Sequence, residues 1–287
     1  MKPSATTLSN GIRLVHLPSL SPVSYLGLLV NAGSRDEKQT EVGMAHMMEH
    51  MLFKGTSKRK PYHILSRIDE VGGELNAFTT KENTFVYATF LNEYTERAVE
   101  LIADIVFHST FPERELEKEK AVVIDEIHAY RDDPSEEIGD AFDQMIFQNH
   151  PLAENILGTP ESVSSFMGKS LRAFHKRTYT TDQMVLCYIG HSSFQEVTAN
   201  VKKWFAALPA GIRQFKRNTF QGYKPQSLQF TKSNHTCHAM LGNIAYSVKS
   251  KYRLPFYMLN NLLGGHSLNS RLNLGIREKY GLTYFLE

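Results

Sequence analysis

Between Gly43 and Lys54 the chain reads Met-Ala-His-Met-Met-Glu-His-Met-Leu-Phe. Met44, Met47, Met48, Met51, Leu52 and Phe53 make a helix here apolar nearly all round, so it has to be buried. The same helix carries His46, Glu49 and His50, and polar groups taken out of water need partners. Any fold of this chain must therefore enclose the helix and satisfy three ionisable side chains. Residues four apart project from one side of a helix, so His46 and His50 can offer two imidazoles to a single ion. Zinc accepts imidazole nitrogens in tetrahedral geometry, and a catalytic site keeps one position for water. Glu49 points to nearly the same side, from where a carboxylate can take a proton from that water. The order His-x-x-Glu-His is the inverted form of the commoner zinc helix motif. Taken alone, the pentapeptide is equally compatible with a Met-rich core helix and incidental histidines. The need to satisfy three buried polar groups together favours a metal.

A third protein ligand is still required. A helix over 113–131 carries an apolar stripe at Leu116, Val123, Ile127 and Tyr130, with Glu119 and Glu126 beside it. Glu113, Glu115 and Glu117 read as a solvated N-terminal face. Glu126 follows Val122-Val123-Ile124, where the helix is expected to be buried, so its carboxylate needs a cation or a metal. Glu119 suits an orienting role behind a ligand.

Around these helices the pattern alternates between strands and helices. Strands are expected at 11–18, 23–31, 74–80, 84–91 and 184–190. Phe85, Tyr87 and Thr89 alternate with Val86, Ala88 and Phe90, and a turn at 81–83 makes a hairpin of the third and fourth strands. Helices are expected at 43–54, 62–71, 93–108, 113–131, 135–148, 169–179 and 194–208. This order favours an α+β fold, a mainly antiparallel sheet with helices packed on it. Residues 1–210 are read as a catalytic zinc-binding α+β domain and the polar stretch 211–226 as a linker. Residues 227–287 repeat the opening logic of strands, a helix from Tyr252, paired glycines and another helix. They read as a truncated second α+β domain.

The net charge of +2 and the lack of a long basic run give nucleic-acid binding no electrostatic support. No segment has the ~20 apolar residues of a membrane span, and residues 1–17 hold no apolar stretch of signal-peptide length. A cytoplasmic location is the expectation. Cys187 and Cys237 are two cysteines among apolar or β-branched neighbours, read as buried free thiols rather than a disulfide framework.

Several further stretches complete a recognisable set: Leu8-Ser9-Asn10-Gly11, Gly33-Ser34-Arg35-Asp36-Glu37, the run from Gly43 to Thr56, Asn76-Ala77-Phe78-Thr79, Asp132-Asp133-Pro134 after Glu126, and Arg277-Glu278-Lys279-Tyr280-Gly281-Leu282-Thr283-Tyr284. Over nearly its whole length the chain resembles the insulinase/pitrilysin zinc peptidases, including the mitochondrial processing peptidase β-subunit and its bacterial relatives. The resemblance implies one zinc ion per chain, held by His46, His50 and a glutamate 76 residues after the second histidine, which falls on Glu126. It implies Glu49 as general base and Glu119 as a supporting carboxylate. Asn76 and Ala77 match an edge strand that takes up substrate as an added β-strand. Arg277 and Tyr284 match a pair that the second domain presents to hold substrate and stabilise the oxyanion.

The expected function is thus a zinc metalloendopeptidase acting on peptides or unfolded polypeptide, without nucleic-acid or membrane partners. Two alternatives stand beside it: a zinc-binding but inactive fragment, and a non-catalytic partner or scaffold subunit of a peptidase complex. An incomplete second sheet leaves an open edge, which invites a homodimer or a partner subunit that completes the cleft. The usual glycine run reads Gly264-Gly265-His266-Ser267, with His266 a local variation rather than a ligand. His235, Cys237 and His238 are set aside as a second metal site because strand alternation sends His238 to the opposite face. His16, His63, His108, His128, His150, His175 and His191 lack ligand spacing and are expected at the surface or at caps.

Overall fold

The computed structural model describes residues 2–286 apart from 234, 266 and 285. His266 therefore lies outside the described residues. The chain divides into two units, Met1–Met240 and Leu241–Glu287.

The first unit is built on a six-stranded sheet: β1 (Ser4–Thr7), β2 (Arg13–Pro18), β3 (Val23–Val30), β4 (Glu74–Thr79), β5 (Thr84–Leu91) and β6 (Met184–Gly190). Their order across the sheet is β1-β2-β6-β3-β5-β4. All neighbours are antiparallel except β2 and β6, which run parallel with Arg13 opposite Val185. The expected mixed α+β fold is present, with β1 added. Alternation decides which face is core: Val86, Ala88 and Phe90 of β5 are buried, as are Leu26 and Leu28 of β3 and Leu186 and Tyr188 of β6.

Helices cover that face. Helices α1 (Met44–Leu52), α2 (Pro61–Asp69), α3 (Thr95–Phe107), α4 (Glu113–Asp132), α5 (Pro134–Ile146), α6 (Pro160–Ser164), α7 (Gly168–Thr178) and α8 (Phe194–Phe205) follow in chain order. Val99, Ile102 and Val106 of α3 and Val197, Val201 and Phe205 of α8 complete the core over the strands. Local chemistry starts these helices where expected. Pro61 opens α2, Asp133 accepts from the Ser135 N–H to cap α5, and Ser193 with Glu196 forms a capping box on α8.

Residues 211–240 form no helix or strand among the described positions and stay with the first unit. Arg217 anchors them: its Nε and Nη2 grip the two carboxylate oxygens of Asp36 at 2.8 and 2.7 Å, and Nη1 donates to the Asn31 side chain at 2.8 Å. The strands expected after 227 are absent among the described residues. A strand exists only as paired backbone, and among the described residues none of this stretch pairs with a strand of the sheet. For the same reason Cys237, expected to be buried, is exposed, while Cys187 on β6 is half-buried. His16 also departs from expectation: it is buried, stacked on Tyr188, with Nε2 2.8 Å from the Ser192 carbonyl.

The second unit holds α9 (Arg253–Gly264) and a π-helical segment, Asn273–Glu278. Leu254, Met258 and Leu262 of α9 are exposed. No described helix in the chain is long and apolar enough to cross a membrane.

Candidate metal centre

Helix α1 is short, nine residues, and its N-terminus is fixed from a distance. Gly43 precedes it at φ +91°, and a Cβ there would lie 2.7 Å from the Leu157 carbonyl oxygen, so only glycine fits. With no side chain at this position to cap the helix, Glu37 does so instead. Its two carboxylate oxygens accept from the Gly43 and Ala45 N–H groups at 3.0 and 2.7 Å. Burial drives the Glu37 pKa well above the usual carboxylate range, with the two N–H donors pulling it down. Replacing Glu37 with Ala leaves both donors without an acceptor. The expected loss is about 1–2 kcal/mol of stability, with weaker zinc binding by the helix it starts. Unchanged thermal midpoint and zinc affinity would rule this out.

On α1, His46 is buried and His50 half-buried. Their Nε2 atoms are 3.3 Å apart and the rings meet edge to face. Glu126 reaches across from α4, with one carboxylate oxygen 3.7 Å from His46 Nε2 and 3.6 Å from His50 Nε2. All three ligand atoms lie within 4.8 Å of one another. In a tetrahedral zinc site with bonds near 2.0–2.1 Å, neighbouring donor atoms sit about 3.3–3.4 Å apart, so the spacing fits. The donor chemistry fits too. Burial, together with the neighbouring His50, pushes the His46 pKa down to about 3, leaving the neutral imidazole that binds metal. His46 Nδ1 is buried without a hydrogen-bond partner.

Helix α4 supplies both carboxylates, but not as its sequence suggested. Leu116, Glu119, Val123 and Ile127 form its buried stripe. Glu119 thus belongs to the stripe, whereas Val122 is exposed and Glu126 keeps about a third of its side chain accessible at the rim. The buried surroundings expected for Glu126 are found at Glu119. There one carboxylate oxygen is 3.2 Å from His50 Nδ1 and the other 2.6 Å from Lys54 Nζ. Burial opposes ionisation of Glu119, yet the hydrogen bonds from His50 and Lys54 outweigh it and lower its pKa. A carboxylate on Nδ1 directs the other ring nitrogen of His50 toward Glu126 and His46. From sequence Lys54 is expected only at the end of the helix, with no role at the site, although its position four residues after His50 is a legible signal.

Glu49 is half-buried beside this cluster, and its Oε2 accepts from the Thr79 hydroxyl at 2.5 Å. Burial raises its pKa, with the Thr79 hydrogen bond pulling the other way. Thr79 ends β4, which among the described residues pairs only with β5 and so forms a sheet edge. Asn76 and Ala77 lie on this edge strand, the Ala77 N–H donating to the Asn76 side-chain oxygen at 2.8 Å. Arg277 and Tyr284 belong to the second unit, where the guanidinium sits 5.2 Å over the tyrosine ring.

Known proteins resemble this chain along most of its length. The profile described as insulinase (peptidase family M16) matches residues 15–160, and that described as peptidase M16 inactive domain matches residues 165–286. An uncharacterized zinc protease of Bacillus subtilis is 38% identical over 97% of this chain and 68% of its own length. Another, of Mycobacterium leprae, is 39% identical over 97% of this chain and 64% of its own. The chain thus spans about two thirds of the length of these curated relatives. The fold matches the crystal structure of a protease from Helicobacter pylori at a TM-score of 0.85, 23% identity, over 97% of this chain and 68% of that one. With both family profiles matched in succession along its length, the chain belongs to the insulinase family of zinc peptidases, peptidase family M16.

Proposed function

We propose that this chain carries the active centre of a zinc-dependent endopeptidase that hydrolyses peptides or unfolded segments of polypeptide. The observation that carries this reading is the convergence of His46, His50 and Glu126 within 4.8 Å, with the non-ligand carboxylate of Glu49 beside them. His46, His50 and Glu126 would hold one zinc ion per chain. Bound there, zinc supplies a Lewis acid that acidifies water and polarises the scissile carbonyl. Glu49 takes the proton of the attacking water and returns it to the leaving amine. Glu119, braced by Lys54, keeps the His50 ring oriented. Asn76 and Ala77 belong to the edge that pairs with substrate backbone, which binds a peptide without reading its sequence. In this reading residues 1–210 are the catalytic domain, 211–226 the linker and 227–287 part of a second domain, whose Arg277 and Tyr284 hold substrate and the developing oxyanion.

The exposed apolar side chains of the second unit, Leu241, Val248, Met258 and Leu282 among them, favour one variant of this reading. Zinc binding would be intact, with turnover awaiting a second copy or a partner subunit that covers them. Metal analysis and digestion of a mixed peptide library, read by mass spectrometry, test both forms. Wild-type protein is expected to hold one zinc and to cleave in a chelator-sensitive way, alone or after a complementary subunit is added. His50→Ala is expected to lose zinc and cleavage together. Protein that binds no zinc would end the proposal, as would cleavage that survives chelation.

A further inference from the structure

We propose that Thr79 is a positioning residue for Glu49, tying the base to the strand edge on which substrate is laid. This rests on the peptidase reading above and adds a residue to it. Thr79 Oγ donates to Glu49 Oε2 at 2.5 Å, across thirty positions of sequence. A threonine hydroxyl has one proton to give, and here it goes to a carboxylate, the stronger, charge-assisted kind of hydrogen bond. With Oε2 occupied, Oε1 is the oxygen left to meet water.

The same residue also faces the substrate edge. Thr80 N–H bonds the Asn83 carbonyl at 2.7 Å and closes the β4–β5 hairpin. In an antiparallel ladder the backbone groups of successive residues point alternately toward and away from the partner strand. Counting back from Thr80, residues Phe78, Asn76 and Glu74 face β5, while Thr79, Ala77 and Leu75 present their N–H and C=O groups outward. The Ala77 N–H agrees, since its acceptor is the Asn76 side chain. Burial alternates in step, with Leu75, Ala77 and Thr79 half-buried and Glu74, Asn76 and Phe78 exposed. Thr79 thus turns its backbone toward an added peptide strand and its hydroxyl toward the base. One residue sets both the register of the peptide and the direction of the carboxylate.

Thr79→Val keeps the shape and the strand preference of the residue and removes only the hydroxyl. The edge, and with it substrate binding, stays, while Glu49 loses its tether. The expected result is a kcat lower by about 10–100-fold, with KM within about twofold of wild type. Thr79→Ser, which restores the hydroxyl, is expected to recover most of the loss. A second readout needs no metal and no turnover. In chelator-treated protein, the shift in melting midpoint caused by Thr79→Val should shrink when Glu49 is already Ala, because the two changes remove the same contact. Wild-type kcat in Thr79→Val, a loss carried by KM, no rescue by Thr79→Ser, or additive melting shifts would each overturn the assignment. A wild-type chain without hydrolysis under any condition would refute the peptidase reading instead, and the metal-free cycle would still decide for or against Thr79.

Discussion

Replacing Glu49 with Gln is expected to lower kcat for peptide hydrolysis by about 10²–10⁴-fold, the range general-base catalysis contributes. The amide matches the carboxylate in shape and can still accept the Thr79 hydrogen bond through its oxygen. What it lacks is the capacity to take a proton. Zinc content should stay at the wild-type level, since His46, His50 and Glu126 are untouched, and KM should move little. Stability should hold or rise. Burial raises the Glu49 pKa, so above the ordinary carboxylate range the fold carries a charge it disfavours, and the neutral amide relieves that. The price of catalysis at this position would then appear as a thermal midpoint at neutral pH no lower than that of wild type. Near-normal turnover by Glu49→Gln would remove Glu49 from the mechanism.

A loss of stability is expected from a change in the loop that follows α1. Arg59 donates to Asp104 at 2.6 Å and to Glu100 at 2.8 Å, both on α3, and the Thr56 hydroxyl also donates to Asp104 at 2.8 Å. The side chain of Asp104 is 2% exposed and that of Glu100 9%. Arg59→Ala removes the closest cation from two buried carboxylates, leaving Arg67 3.8 Å from Glu100 and His108 3.4 Å from Asp104, and losing one partner of a buried ion pair costs about 3–5 kcal/mol. For a chain of this size, at about 2–4 °C per kcal/mol, the melting midpoint should fall by about 6–20 °C. Lys at this position restores a point charge without the planar fork and should recover only part of the loss. A midpoint within about 2 °C of wild type would mean that the pair adds nothing net, as exposed pairs often do.

Much of the candidate centre is legible in the amino-acid sequence, because its signals are local. Four-residue spacing alone puts His46 and His50 on one side of α1. Period-two alternation fixes the core face of β5, and the Asp133-Pro134 break is visible where α4 ends and α5 begins. Glu126 stands out for a reason that holds for Glu119 instead, since hydropathy along α4 does not say which of its flanks meets α1. Strands expected beyond 227 fail similarly. Residues such as Leu228 and Phe230 have strand composition, but pairing requires a partner edge that composition does not reveal.

Chain neighbours a turn or two apart therefore account for the His46/His50 pairing on α1, the nearby Glu49, the hairpin and most helix limits. Long-range packing accounts for the rest. It set the parallel pairing of β2 with β6 across some 170 residues and the capping of α1 by Glu37. It also turned Glu119 rather than Glu126 into the core and joined Thr79 to Glu49. The physical reason is that a helix or strand period constrains direction within one element. The distance between elements is set by packing, and packing is a property of the whole chain.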